Sequence, residues 1–423
     1  MDWTAQDELS ARWKTAGRAY LDGLAAWLSA GEATGWPDDM PEQPTDTRAE
    51  LAEDVLKVVR AANAASQTEV LRERFPPAWE PFLDTFEERG QSVRALSAHD
   101  GHLAVVIGDP WDHVGVARIG ERALIDAGCL AESRRDDLVA TAKLDGVHID
   151  GRVLPWPTGL EGVSAELAAS LKPAEAISVV QMQVLPDGRV LIVTGFGTFI
   201  LATTGVLRLH PPEETLAAQL QWTEGDLRMD MGHAAVTPDG KIACVGDQGS
   251  AHRLVDTTTG EALASFGPIE SSYPHHASFS PDGRHLLVNS CHFYNGSSHV
   301  VRVSEMLGAT IPSHTEDGRY LRSDNGARVY GSAWTSDGPI TGDAYGYLRA
   351  WSMSGELLWK HFVGSNITGM TMHGSLLYVG TSAGVLHCLE IDGGPDPWAI
   401  GGSPCRERWR WLFWKGEATP LKW

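Results

Sequence analysis

The chain has 423 residues, with 34 Lys+Arg against 55 Asp+Glu, a formal net charge of −21 at pH 7. Hydrophobic residues at 43% and charged residues at 21% are the proportions of a folded globular chain, which excludes global disorder. The acidic balance argues against a nucleic-acid binder, since such proteins displace counterions from phosphates with a basic face.

The opening MDWTAQDE lacks the basic start and apolar core of a secretory signal, and no run of about 18 apolar residues follows. Neither export nor a membrane helix is therefore expected. The five cysteines, Cys129, Cys244, Cys291, Cys388 and Cys405, are odd in number and contain no CxxC pair. They fit buried reduced thiols in a cytoplasmic protein rather than a disulfide frame or a zinc site.

Residues 1–90 read as a helical extension. Leu9, Trp13, Tyr20, Leu24, Trp27 and Leu28 recur at helical spacing, and Gly31 is the expected stop. After a Pro-rich acidic connection, Thr47-Arg48-Ala49-Glu50 has the form of a capping box opening a second helix through Leu51, Val55, Val58, Val59 and Ala62. Pro76-Pro77 ends that stretch, and Trp79, Phe82, Leu83 and Phe86 suggest a third, shorter helix. With 18 acidic and 9 basic residues, this arm is too small to stand alone and should pack on the remainder.

From about residue 91 the apolar period changes from helical to strand-like. Glycine, at 45 residues, punctuates short strands, and one turn recurs. Pro186-Asp187-Gly188, Pro238-Asp239-Gly240 and Pro281-Asp282-Gly283 are its clearest copies. Trp334-Thr335-Ser336-Asp337-Gly338 is a fourth, and Asp100-Gly101 and His373-Gly374 are degenerate ones. Proline presets φ at the first corner, and glycine accepts the positive φ that reverses the chain. Six steps between Gly101 and Gly374 average 45.5 residues, near the period of a four-stranded propeller blade. Seven blades over 91–401 is the count this implies. The second blade lacks a clear turn, with Ser133-Arg134 and Asp145-Gly146 as candidates.

These units resemble WD-repeat and lactonase-type β-propellers over about three quarters of the chain. Thr341-Gly342-Asp343-Ala344-Tyr345-Gly346-Tyr347-Leu348-Arg349-Ala350-Trp351 is similar to the second half of a WD repeat. The other units depart from it. The Asp that the family places before the turn glycine is Tyr345, Phe196, Gln248 or Ala383 here, and Ala202, Leu254 and Leu389 stand where Trp351 does. The resemblance implies a mainly β, seven-bladed propeller with a small N-terminal helical extension, and a buried Asp-His-Ser-Trp network that is mostly missing.

The innermost strand of each blade lines the central channel, so its side chains are the first candidates for a site. His233 and His276 each stand six residues before a turn Asp, His275 adjoins the second, and Asp230 precedes the first. Two imidazoles and a carboxylate have the donor chemistry of a divalent-metal site. The equivalent places in other units hold Gln181 and Gly331, which supply no third strong ligand, so no metal or cofactor is expected. Second-strand ends contribute a ring of polar residues that includes Asp247, Asn289 and Asp343. With Trp334, the residues His233, His275, His276, Asp247, Asn289 and Asp343 form the candidate channel-mouth binding site.

The tail, 402–423, alternates Arg406, Arg408 and Arg410 with Trp409 and Trp411, as a strand with one cationic and one aromatic face would. It is expected to complete the closing blade or to dock under the helical arm. No nucleophile elbow or phosphate loop is present. The sequence thus points to a non-catalytic protein–protein interaction module in the cytoplasm, with a protein partner of basic surface and neither nucleic acid nor membrane. Two alternatives stand beside it. One is a channel-sited hydrolase or oxidoreductase of the lactonase or quinoprotein type. The other is an acidic immunity or inhibitor protein binding a basic partner.

Overall fold

A computed structural model describes residues 3–35, 37–172, 177–223, 225, 228–400 and 403–423. Seven antiparallel sheets follow one another along the chain, each with its first strand innermost. Their first strands are Val93–His99, Ala131–Arg135, Val179–Val184, His233–Val236, Tyr273–Phe279, Val329–Trp334 and Ile367–His373. The chain is a seven-bladed β-propeller. Blade 7 meets blade 1 side by side, where Thr368 Oγ1 donates to Val93 O at 2.7 Å. Among the described residues no helix is long and apolar enough to cross a membrane.

The repeated turn is held by its own side chains. In blade 5 Ser280 Oγ donates to Asp282 Oδ1 at 2.6 Å, while the amides of Arg284 and His285 donate to Asp282 Oδ1 and Ser280 Oγ. Blade 4 repeats this with Thr237 and Asp239. These hydroxyl donors hold both carboxyls below their usual range. Gly240 and Gly283 take φ of 75° and 71°, open to glycine at little cost. The first turn of blade 2 is Asp136-Asp137, three residues past Ser133-Arg134, with Asp136 at φ 50°. An Asp that tolerates the left-handed region replaces Pro and Gly there, which is why the sequence pattern fades.

Three long connections depart from a bare propeller: one before blade 3, one after it, and one within blade 5. Leu167 and Leu171 of the first and Leu216 of the second pack with Phe196 of blade 3 in one apolar cluster. Between the third and fourth strands of blade 5, residues 303–320 reach back, and Thr310–Ile311 adds to the outer edge of blade 4 in parallel.

The arm contains α1 (Asp7–Thr34), α2 (Ala52–Ala64), α3 (Leu71–Arg74) and α4 (Leu83–Arg89). Gly31 does not end α1. A single interior glycine costs about 1 kcal/mol, which the remaining turns outweigh, and the stop comes at Gly35, whose φ of 72° lets its N–H return to Gly31 O. Nor does Thr47 cap the next element. Asp46 does, accepting from Arg48 N at 3.0 Å and pairing through both oxygens with the Arg48 guanidinium, so the first turn is 3-10 and α2 begins at Ala52. A carboxylate is the better partner for exposed amides at a helix start.

The arm has no core of its own. Trp13, Val55, Val59, Phe75, Phe82 and Phe86 share one apolar cluster with Val385, Leu412, Trp414 and Trp423 of blade 7. The strand Arg406–Leu412 is the fourth of that blade, paired with Val385–Glu390. Its register shifts between Cys388 and Leu389, so Cys388 faces Trp409 while Leu389 faces Glu407. This bulge breaks the expected alternation of cationic and aromatic faces. Glu407 and Arg410 come together as an ion pair of 2.8 Å, Trp411 is buried, and Trp409 lies against Tyr378.

Candidate binding site at the channel mouth

The candidate histidines enter at the starts of inner strands, next to the turns that link second to third strands. His233 opens the inner strand of blade 4 and pairs with Gly246, the last residue of the second strand. His276 pairs with Asn289 in blade 5, after a bulge at His275. The bulge turns both imidazoles toward blade 6. His275 Nδ1 donates to Val329 O at 2.7 Å and its Nε2 accepts from Arg328, while His276 Nε2 bonds Ser332 Oγ at 2.8 Å. Trp334 Nε1 completes this seam by donating to Ser278 Oγ at 2.7 Å.

His233 behaves differently. Its Nε2 lies 3.2 Å from Nδ1 of His252, a residue of the third strand that sequence spacing did not single out. The structure therefore pairs His233 with His252 and His276 with Ser332, and does not join His233 to His276. Burial depresses all four of His233, His252, His275 and His276, with His233 drawn down to about 3 and His276 to about 4. They are neutral at pH 7. Among the described residues, no group of three or more His, Cys, Asp or Glu is disposed to hold a metal ion.

The polar ring is spent on turns. Asp343 Oδ1 accepts from the amides of Tyr345 and Tyr347 at 2.8 and 3.0 Å, and its other oxygen pairs with Arg349. Asn289 donates to Ser297 O and Ala327 O and accepts from Val329 N. Asp247 accepts from Gly249 N and faces His210 at 3.4 Å. Burial works to raise the Asp247 carboxyl, but His210 and the turn donors prevail and hold it low. One half of the WD-type network is present in blade 6, where Trp351 Nε1 donates to Thr341 Oγ1 at 3.1 Å.

Several large rings on this face are open to solvent. Phe293 is 74% exposed, Tyr294 60% and Tyr345 46%, all on second-to-third-strand turns of blades 5 and 6. Tyr345 Oη donates to Asn295 Oδ1 at 2.9 Å, and the rings of Tyr294 and Tyr345 lie 6.4 Å apart. Phe293 rests on His292, which stacks on Tyr273, while Arg328 lies over Tyr330 at 4.6 Å. Blades 1 and 2 present Trp111 and Leu144 on the equivalent turns, whereas Phe196 of blade 3 and Ala383 of blade 7 are covered. The sequence carried a signal for this rim: large apolar residues at turn centres where polar and small ones are usual.

No family model matches the chain, and no curated protein is similar to it in sequence. Solved structures of the same architecture do match. The computationally designed Ika8 protein is 14% identical over 71% of this chain and 96% of its own, with a TM-score of 0.44. The β-propeller domain of Cps50 (Swd1) from Myceliophteria thermophila is 14% identical over 69% and 92%, with a TM-score of 0.45. The designed Ika4 protein is 16% identical over 37% of this chain and 88% of its own, with a TM-score of 0.29. The likeness is one of fold.

Proposed function

We propose that the protein is a non-catalytic interaction module, and that the aromatic rim of blades 5 and 6 receives a basic segment of a protein partner. The observation that carries this reading is the joint exposure of Phe293, Tyr294 and Tyr345 on a chain of net charge −21. Soluble surfaces seldom leave clustered aromatic rings in water without a use. Aromatic faces hold Lys and Arg side chains by cation–π attraction, and an acidic surround speeds encounter with a cationic partner. The channel-mouth polar groups His233, His275, His276, Asp247, Asn289, Asp343 and Trp334 position the rim by fixing the turns and the blade 5–6 seam. Their bonds are satisfied within the fold, which supports binding over channel chemistry.

The reading is tested on an array of Lys- and Arg-rich peptides with wild-type protein and a Phe293→Ala/Tyr294→Ala/Tyr345→Ala variant. Peptides held by the wild type and released by the triple variant or by 0.5 M salt are the expected result. Equal retention by both proteins, or none by either, overturns it.

A further inference from the structure

The arm and blade 7 leave a cleft of about 80 Å³ between them, closed on one side by the end of the outer strand of blade 6. Its charges are matched. Arg48 is paired with Asp46, while Arg72 and Arg410 share Glu407, and Asp396 stands on the same wall. Glu80 is held above its usual range by burial and by Asp46. No excess of positive charge is left to draw an anion.

Two polar atoms in this wall lack partners. Glu407 receives three donors, His387 Nδ1 at 2.6 Å and Arg72 and Arg410 at 2.8 Å each, which keep it ionised in spite of its burial. Facing a carboxylate, His387 Nδ1 carries the ring proton, so Nε2 presents a lone pair. That Nε2 is buried and has no hydrogen-bond partner. Tyr20 Oη is likewise buried and has no partner within hydrogen-bond geometry, with Gln43, Glu80, Asp46 and Arg48 around it. An orphaned acceptor and an orphaned donor line one cleft. A buried polar atom left unpaired costs about 1–3 kcal/mol, which a bound molecule would recover.

We propose that this cleft is a binding site for a small neutral polyhydroxyl molecule of about glycerol size, one hydroxyl donating to His387 Nε2 and another accepting from Tyr20 Oη. The volume sets the scale. A water needs roughly 10–15 Å³ of such space, so the cleft admits a molecule of several heavy atoms. Because the walls come from both arm and propeller, the ligand would tie the two together.

The test uses full-length protein carrying ¹⁵N-labelled histidine, with His387 identified from a His387→Gln variant. Glycerol is titrated against 1,2-dimethoxyethane, a molecule of similar size without a donor. The expected result is a His387 Nε2 shift that saturates with glycerol and is absent with the ether. Tyr20→Phe should raise the half-saturating glycerol concentration roughly 5-fold, the loss of one hydrogen bond. A shift that is linear and equal for both probes, or no shift, overturns the site, as does a glycerol-soaked crystal with only water at Nε2. Should His387→Gln fail to fold, Tyr20→Phe and the probe pair still decide.

Discussion

Gly364 stands where its hydrogen faces the indole of Trp79, and a Cβ built there would run into the ring. Trp79 is stacked on Phe86 at 4.1 Å, so the arm presses a two-ring wedge against the end of blade 6's outer strand. Gly364 also takes φ of 104°. Gly364→Ala should cost roughly 2–4 kcal/mol, from backbone strain and overpacking together. Amide exchange should quicken in the arm more than in blades 2 to 4. Uniform exchange, or an unchanged melting temperature, would count against the wedge.

The tail is a structural strand with a double contact. Its outer side is held by Arg60–Glu417 at 2.5 Å and by Asn63, which donates to Lys422 O and accepts from Lys422 N. Trp411, Trp414 and Trp423 are all buried, each contributing on the order of 2–3 kcal/mol by apolar area. Removing residues 405–423 should abolish soluble expression or lower the melting temperature by more than 10 °C. A truncated protein that melts with the full chain would show the strand to be dispensable.

Acid should weaken the fold before its carboxylates titrate. An unfolded imidazole takes up its proton near pH 6.5, whereas burial holds His233 down to about 3 and His276, His299 and His361 to about 4. The unfolded chain thus binds more protons between pH 6.5 and 4, and stability falls as pH drops through that window. Each such imidazole can remove about 1.4 kcal/mol per pH unit at most. Urea midpoints measured at pH 7, 6 and 5 should decline steadily, and His276→Gln should flatten the decline by one proton. A midpoint constant from pH 7 to 5 would refute the assignment.

Asp343 and Trp351 should separate in their cost. Asp343→Ala strips two amides and Arg349 of a buried carboxylate, with a loss of roughly 3–5 kcal/mol. Trp351→Phe gives up the bond to Thr341 and some ring area, a loss of about 1–2 kcal/mol. Chemical denaturation of the two variants checks the order, and equal losses would show that the turn carboxylate carries no special weight.

The blade count was legible because the Ser/Thr-Pro-Asp-Gly turn is local: its bonds run between residues within five positions of one another. Elements set by distant residues were not. His252 meets His233 only because the third strand returns beside the second, and the offset depends on the hairpin that links them. The bulge at Arg408 turned a regular Arg/Trp alternation into the Glu407–Arg410 pair, and no residue of the tail announces it. Gly31 differs for the opposite reason: a local stop signal is passed over, and the left-handed turn comes at Gly35. The candidate channel-mouth residues were chosen by position, and their bonds inside the fold depend on neighbouring blades, as His275 and His276 depend on blade 6.

The arm finds its surface on residues 385–423, more than three hundred positions downstream. A ribosome therefore releases Trp13, Val55, Phe75 and Phe82 long before anything exists to cover them. At roughly 5–20 residues per second the exposed interval lasts tens of seconds. Blades 1 to 6 can assemble meanwhile from contacts close in sequence, leaving the arm to dock after them. Refolding of the whole chain and folding during synthesis should then differ in one respect: in the cell, the arm is the segment most in need of a chaperone.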